Sequence, residues 1–147
     1  MLWCLKLVFC YLFIVVLVVI DQISKKYAVS KLKGVVFPIR AGIFRFIIVK
    51  NPGAALGLLR KKQFLLKAIT LIMVIFLLSY TTVLLLYEGS RKDIFSLAFV
   101  SGGALGNFID RIRHKYVIDF ISFNIKRFPV FNMADVFIVT GFVLYFI

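Results

Sequence analysis

AITLIMVIFLLSYTTVLLLY, residues Ala68–Tyr87, is twenty consecutive residues without a charge, bounded by Lys67 and Glu88. A helix needs about 20 such residues to cross the hydrocarbon core of a bilayer. The rest of the chain has the same character. Hydrophobic residues make up 63% of its 147 positions, and its mean hydropathy is +1.03. Soluble domains run at about 45–50% apolar. A soluble globule this small could not hide so much apolar surface, and disorder is excluded on the same ground.

Three more apolar runs flank this one. Met1–Ile20 is broken only by Lys6 and stops at Asp21. Ile94–Ile109 lies between Asp93 and Asp110, and is short and rich in glycine. The last run extends from about Phe128 to Ile147 and contains Asp135. The expected fold is therefore an all-α membrane protein, a four-transmembrane-helix bundle forming one domain over residues 1–147. Its spans are expected at about 4–22, 66–87, 94–111 and 129–147. The first run lacks a small-x-small cleavage site and reads as a retained helix, not a removed signal peptide. The first connection, about Ser24 to Gln63, contains Ile43-Phe-Arg-Phe-Ile-Ile-Val49, a β-like stretch. Asn51-Pro-Gly53 then reads as a turn. A small β-rich segment is thus expected there. The second connection, 88–93, is very short, and the third, about 111–127, is half apolar.

Nineteen Lys and Arg against six Asp and Glu give a formal net charge of +13. Set between apolar runs, this excess points to anionic lipid head groups and not to nucleic acid. Four spans put both termini on one side and the first and third connections on the other. Ten of the cations fall in the first connection, so the positive-inside rule taken alone places it in the cytoplasm. Cys4 and Cys10 are six apart and do not share a helix face, which excludes a disulfide framework. His114 is the only histidine and sits in the basic loop Arg111–Lys115, so neither a His-rich metal site nor a Ser/His/Asp triad is expected. No H-E-x-x-H and no Walker A pattern occurs.

Glu88 and Asp93 lie beside Arg91 and Lys92 in a solvated turn. The other four carboxylates, Asp21, Asp110, Asp119 and Asp135, sit at span ends or in apolar stretches, all toward one membrane face. Asp119 lies in Tyr116-Val-Ile-Asp-Phe-Ile121, where burial favours the neutral acid. Asp135 ends Phe131-Asn-Met-Ala-Asp135, near a helix start entered through Pro129, where negative charge is favoured. Asn132, three residues back, is placed to hydrogen-bond it. Two carboxylates pushed to opposite protonation states suit an acid–base pair, one activating water and the other protonating a carbonyl oxygen and then a leaving amine. A proton relay in a small proton-coupled carrier, or plain ion pairing, stays open on these residues. A carrier needs a polar path to both faces, and the second span has no carboxylate. Gly102-x-x-x-Gly106 permits close helix contact. Asn107, Asp110 and Arg111 share a face, as do Asp21 and Lys25. Small residues in Asn51-Pro-Gly-Ala-Ala55 allow close backbone approach.

Together the blocks Asp21-Gln-Ile-Ser-Lys25, Asn51-Pro-Gly-Ala-Ala55, Gly106-Asn-Phe-Ile-Asp-Arg111, Val117-Ile-Asp-Phe120 and Phe131-Asn-Met-Ala-Asp135 resemble, in this order, the bacterial lipoprotein signal peptidase family. The resemblance implies an intramembrane aspartic peptidase of the bacterial cytoplasmic membrane. It implies a substrate, a prolipoprotein cut just before its diacylglyceryl-modified cysteine. It also implies a monomer in contact with membrane lipid, needing no metal or organic cofactor. The catalytic pair falls on Asp119 and Asp135. Asn51, Asn107, Arg111 and Asn132 match positions lining the site. Asp21, Lys25, Gly53, Ala55, Gly106, Asp110 and Ala134 match positions supporting it. The resemblance places both termini in the cytoplasm and the site outside, against the charge count. Leu56 and Pro52 depart from the family's usual residues, and the chain stops at Ile147 without the polar tail of many members.

Overall fold

The computed structural model describes residues 2–32, 37–39, 44–53, 61–125 and 128–147. Ala55 and Leu56 lie outside them. Four helices and three strands follow in the order α1 (Leu2–Leu32), β1 (Phe37–Ile39), β2 (Phe44–Asn51), α2 (Gln63–Leu86), α3 (Arg91–His114), β3 (Val117–Phe123) and α4 (Met133–Phe146). The expected four-helix arrangement is present. α3 is its hub, with α1, α2 and α4 packed around it. α1 and α2 are long and apolar enough to cross a bilayer. Their outer faces carry large bare side chains: Ile72 is 66% and Phe76 65% exposed. Such surface is stable against lipid and not against water. α4 is apolar but has only 14 residues, and so a length of about 21 Å.

Three boundaries differ from expectation, each for a tertiary reason. α1 continues to Leu32 instead of ending near residue 22. Asp21 and Lys25 neutralise each other one turn apart, so the first charges do not end the helix. The sheet is not confined to the first connection. It runs antiparallel in the order β1-β2-β3, and β3 comes from the third connection. Val49 lies opposite Asp119 and Asn51 opposite Val117, with an irregularity between Phe46 and Val49. Finally, α4 begins at Met133 and not at Pro129. Phe131 exchanges backbone hydrogen bonds with Ile121 of β3 (2.8 and 2.9 Å), which holds the approach to α4 extended. The sheet rests on the far end of α1, where Phe120 buries itself against Ala28 and Leu32.

α3 and α4 cross closely because glycines allow it. A Cβ on Gly103 would stand 2.3 Å from the Ala134 carbonyl oxygen, and one on Gly141 2.5 Å from that of Ser96. Backbone atoms cannot step aside as a side chain does. Gly103→Ala and Gly141→Ala are each expected to cost about 1–3 kcal/mol through overpacking. The check is the thermal midpoint in detergent. Midpoints equal to the parent protein's would mean that the crossing has slack.

Candidate active site

The site gathers side chains from five elements at one end of the bundle. α1 supplies Asp21 and Lys25, which share a face at i, i+4. The Lys25 ammonium lies 2.8 Å from Asp21 Oδ2 and 3.0 Å from Asp110 Oδ2 of α3. Asp21 and Asp110 are 0% and 1% exposed and Lys25 is 2%. The pairing of Asp21 and Lys25 that their spacing allows is thus extended by Asp110 into a buried triad. Asp21 Oδ1 accepts the Ala134 backbone N–H at 2.9 Å, which ties α1 to the start of α4. Asp110 Oδ2 also accepts the Ile118 N–H at 3.1 Å, which anchors β3. Gly106 fits because it has no Cβ: one would stand 2.5 Å from Asp21 Oδ2.

Asp119 is carried on β3 and is 3% exposed. Its Oδ1 accepts from Asn132 Nδ2 at 2.6 Å and its Oδ2 from Asn51 Nδ2 at 3.1 Å. Asn51 is itself oriented by the Gly53 N–H, which donates to Asn51 Oδ1 at 3.1 Å. Gln63, the first residue of α2, donates to the Pro52 carbonyl and ties the turn to the bundle. Asp135 belongs to the first turn of α4. Asn132 caps that helix: its Oδ1 accepts the Asp135 N–H at 3.0 Å, and its own N–H donates to Asp135 Oδ2 at 3.2 Å. This reciprocal box satisfies two backbone donors and fixes the Asp135 rotamer. Asn107 Nδ2 donates to Asp135 Oδ1 at 2.8 Å. Asn107 Oδ1 in turn accepts from Lys25 and Asn132, both at 3.2 Å.

All eight oxygens of the four carboxylates thus accept an N–H bond, as buried polar atoms should. The donors divide them into two pairs. Asp21 and Asp110 share the Lys25 ammonium and tie the helices together. Asp119 and Asp135 have only neutral amide donors and, among the described residues, no cation within ion-pair distance. Burial, then the neighbouring Asp135 charge, pushes the Asp119 carboxyl up to about 6, against the pull of the Asn51 and Asn132 bonds. An acid of that strength holds and releases a proton near neutral pH.

Sequence reasoning named most of these residues but not all of their links. Asp110 turns to Lys25 and not to its chain neighbour Arg111. Arg111 Nη1 donates instead to the Asn107 carbonyl at 3.2 Å. The Asn132 amide serves Asp119 and Asn107, and its backbone serves Asp135. Gln22 was missed. Its Nε2 lies 3.0 Å from Asp110 Oδ1 and 3.1 Å from Asp21 Oδ2, joining α1 to α3. A polar residue beside Asp21 at the end of an apolar run was the available signal.

Two carboxyl groups linked through one asparagine, with no cation within ion-pair distance among the described residues and set in a lipid-facing bundle, fit the acid–base chemistry of a membrane-embedded aspartic hydrolase. Comparisons with known proteins narrow the class. Residues 13–147 match the family model described as Signal peptidase (SPase) II. The lipoprotein signal peptidase of Clostridium tetani is 35% identical over 136 residues, covering 89% of this chain and 85% of that protein. That of Halothermothrix orenii is 38% identical over 134 residues, covering 89% and 88%. A solved bacterial membrane enzyme, at 1.9 Å resolution, superposes with a TM-score of 0.80 at 31% identity over 93% of this chain and 89% of its own. The chain belongs to the signal peptidase II family. Its activity is accordingly that of a lipoprotein signal peptidase, an aspartic peptidase of the membrane.

Proposed function

We propose that this chain cuts prolipoproteins immediately before a diacylglyceryl-modified cysteine, with Asp119 and Asp135 as the catalytic pair. The observation that carries the assignment is the division of the carboxylates. Of the four carboxylates gathered at this site, Asp119 and Asp135 have no cation within ion-pair distance among the described residues, and both bond to Asn132. In the reactive form Asp119 carries the proton to be donated and Asp135 accepts one. A water between them loses a proton to Asp135 as its oxygen attacks the scissile carbonyl carbon. Asp119 gives its proton to the carbonyl oxygen. Collapse of the tetrahedral intermediate breaks the C–N bond, and the proton gained by Asp135 passes to the leaving amine. The diol proton returns to Asp119. The step needs two carboxyl groups and one water.

Asn51, Asn107, Asn132 and Arg111 line the site. Asp21, Lys25, Gly106, Asp110 and Ala134 lock α1, α3 and α4 beneath it, and Gly53 shapes the turn over it; Ala55, outside the described residues, is assigned a supporting role by the family resemblance alone. All four helices cross the membrane in one domain, with both termini in the cytoplasm, the sheet and site at the outer face, and the protein acting as a monomer. The diacylglyceryl group enters sideways from the bilayer. A proton-coupled carrier suits the molecule less well, since its buried carboxylates all gather at one end.

The test is incubation of the purified chain in detergent with a prolipoprotein, with and without the diacylglyceryl group. The expected products are the intact signal peptide and a fragment starting at the lipidated cysteine, identified by mass. Equal cutting of the unlipidated form, or a cut elsewhere, would overturn the reading. The pH dependence of kcat/KM is expected to fall on the alkaline side with a midpoint near 6, where Asp119 loses its proton. Asn51 donates to the ionised form of Asp119 and so favours it. Asn51→Ala is therefore expected to move the alkaline limb to higher pH. A limb that stays put or moves down contradicts this.

A further inference from the structure

Behind the site, on the other side of Lys25 and Asp110, lies a second cavity of about 510 Å³. It is bounded by the second half of α1, the last turn of α3, and strands β2 and β3. Lys26, Lys50, Arg113 and His114 stand on its walls. Lys26, Lys50 and Arg113 have no carboxylate partner within 4 Å among the described residues. Asp110, the one acidic residue lining the cavity among the described residues, is already spent on Lys25 and the Ile118 N–H. Lys50 leans over the Tyr116 ring, 5.2 Å from its centre, and Arg113 bonds to Gln22 at 3.3 Å. Three unpaired full charges around one concavity repel one another, and an anion between them relieves that cost.

The approach to the cavity is apolar. Val16, Val19, Ile20 and Ile23 form one bare stripe along the lipid side of α1, and Ile23 is 62% exposed. The spacing i, i+3, i+4, i+7 keeps them on one face. Lys26 continues that face less than one turn beyond Ile23. An acyl chain laid along the stripe would bring a phosphate to Lys26, Lys50 and Arg113. We infer that this cavity binds the head group of an anionic phospholipid from the surrounding bilayer, with an acyl chain along the Val16–Ile23 stripe of α1. The occupant is not the substrate, because a diacylglyceryl thioether carries no phosphate. The site also accounts for cations gathered at this end of the molecule, against the simple charge rule. It does not depend on the catalytic assignment, so a failure of one leaves the other standing.

The test uses the whole chain in neutral detergent micelles doped with phosphatidylglycerol or phosphatidylcholine, with retained lipid counted by native mass spectrometry. Retention of phosphatidylglycerol is expected to exceed that of phosphatidylcholine, and the excess to shrink as salt is raised. Each interfacial cation contributes about fivefold. Lys50→Gln with Arg113→Gln is thus expected to cut the preference by about 25-fold. Arg91→Gln with Lys92→Gln, at the opposite end of α3, should leave it unchanged. Equal retention of the two lipids by the parent protein overturns the inference without any variant. So does an undiminished preference in Lys50→Gln/Arg113→Gln, or an equal loss in the Arg91/Lys92 pair. Inorganic phosphate at millimolar level is the last arm. If it displaces phosphatidylglycerol, the cavity is a phosphate site and the lipid assignment is wrong.

Discussion

Asp119→Asn and Asp135→Asn are each expected to lower kcat by about a thousandfold or more on a diacylglyceryl-modified prolipoprotein, while the protein stays folded. The substitutions keep shape and remove the proton chemistry. In Asp119→Asn the acid that protonates the carbonyl oxygen is gone. In Asp135→Asn the base that takes the proton from water is gone. Because the two groups act as a unit, the double variant should be little worse than either single one. Stability will change modestly and for a visible reason. Asn51 and Asn132 both donate to Asp119, and an asparagine there has only one acceptor oxygen, so one pair of amide groups must meet donor to donor. That mismatch costs about 1–3 kcal/mol. Initial rates and thermal midpoints measured on one preparation separate the two effects. A folded variant that cuts at near the parent rate would remove that aspartate from the mechanism.

Lys25→Met is expected to be the most damaging substitution outside the proposed catalytic pair. It leaves Asp21 and Asp110 facing each other, both buried, with no cation between them. Removing one partner of a buried ionic cluster costs about 3–5 kcal/mol, because the remaining charge can be neither solvated nor paired. Activity should fall as well. Lys25 also donates to Asn107 Oδ1 and so holds the Asn107 amide that serves Asp135. Adding Asp110→Asn to Lys25→Met removes one of the stranded charges and should recover part of the lost stability. The check is the thermal midpoint of parent, single and double variants. A single variant within about 1 kcal/mol of the parent would mean that the triad contributes little, as surface ion pairs do.

Much of this was legible in the sequence. The twenty uncharged residues of 68–87 declared a membrane protein, because no other solvent suits them. Asp119 in an apolar run and Asp135 near a helix start were marked out as a pair by local environment alone. The i, i+4 spacing of Asp21 and Lys25 foretold their contact, which the structure has at 2.8 Å. Local spacing is visible in a sequence because a helix imposes it over a few residues.

Other features depend on partners far along the chain. Val117–Phe123 is a strand only because β2, more than sixty positions earlier, offers it a ladder. α4 starts at Met133 because Phe131 is held against Ile121. Asp110 ignores its neighbour Arg111 and takes Lys25, because helix packing buries it against α1 and leaves the guanidinium to the Asn107 carbonyl. The sequence by itself thus determined the solvent and the helices, and it singled out the two carboxylates proposed to react, all from short-range composition and period. Only the tertiary structure decided which carboxylates hold a cation and which do not. That choice depends on which donors from distant segments reach each oxygen once water has been excluded.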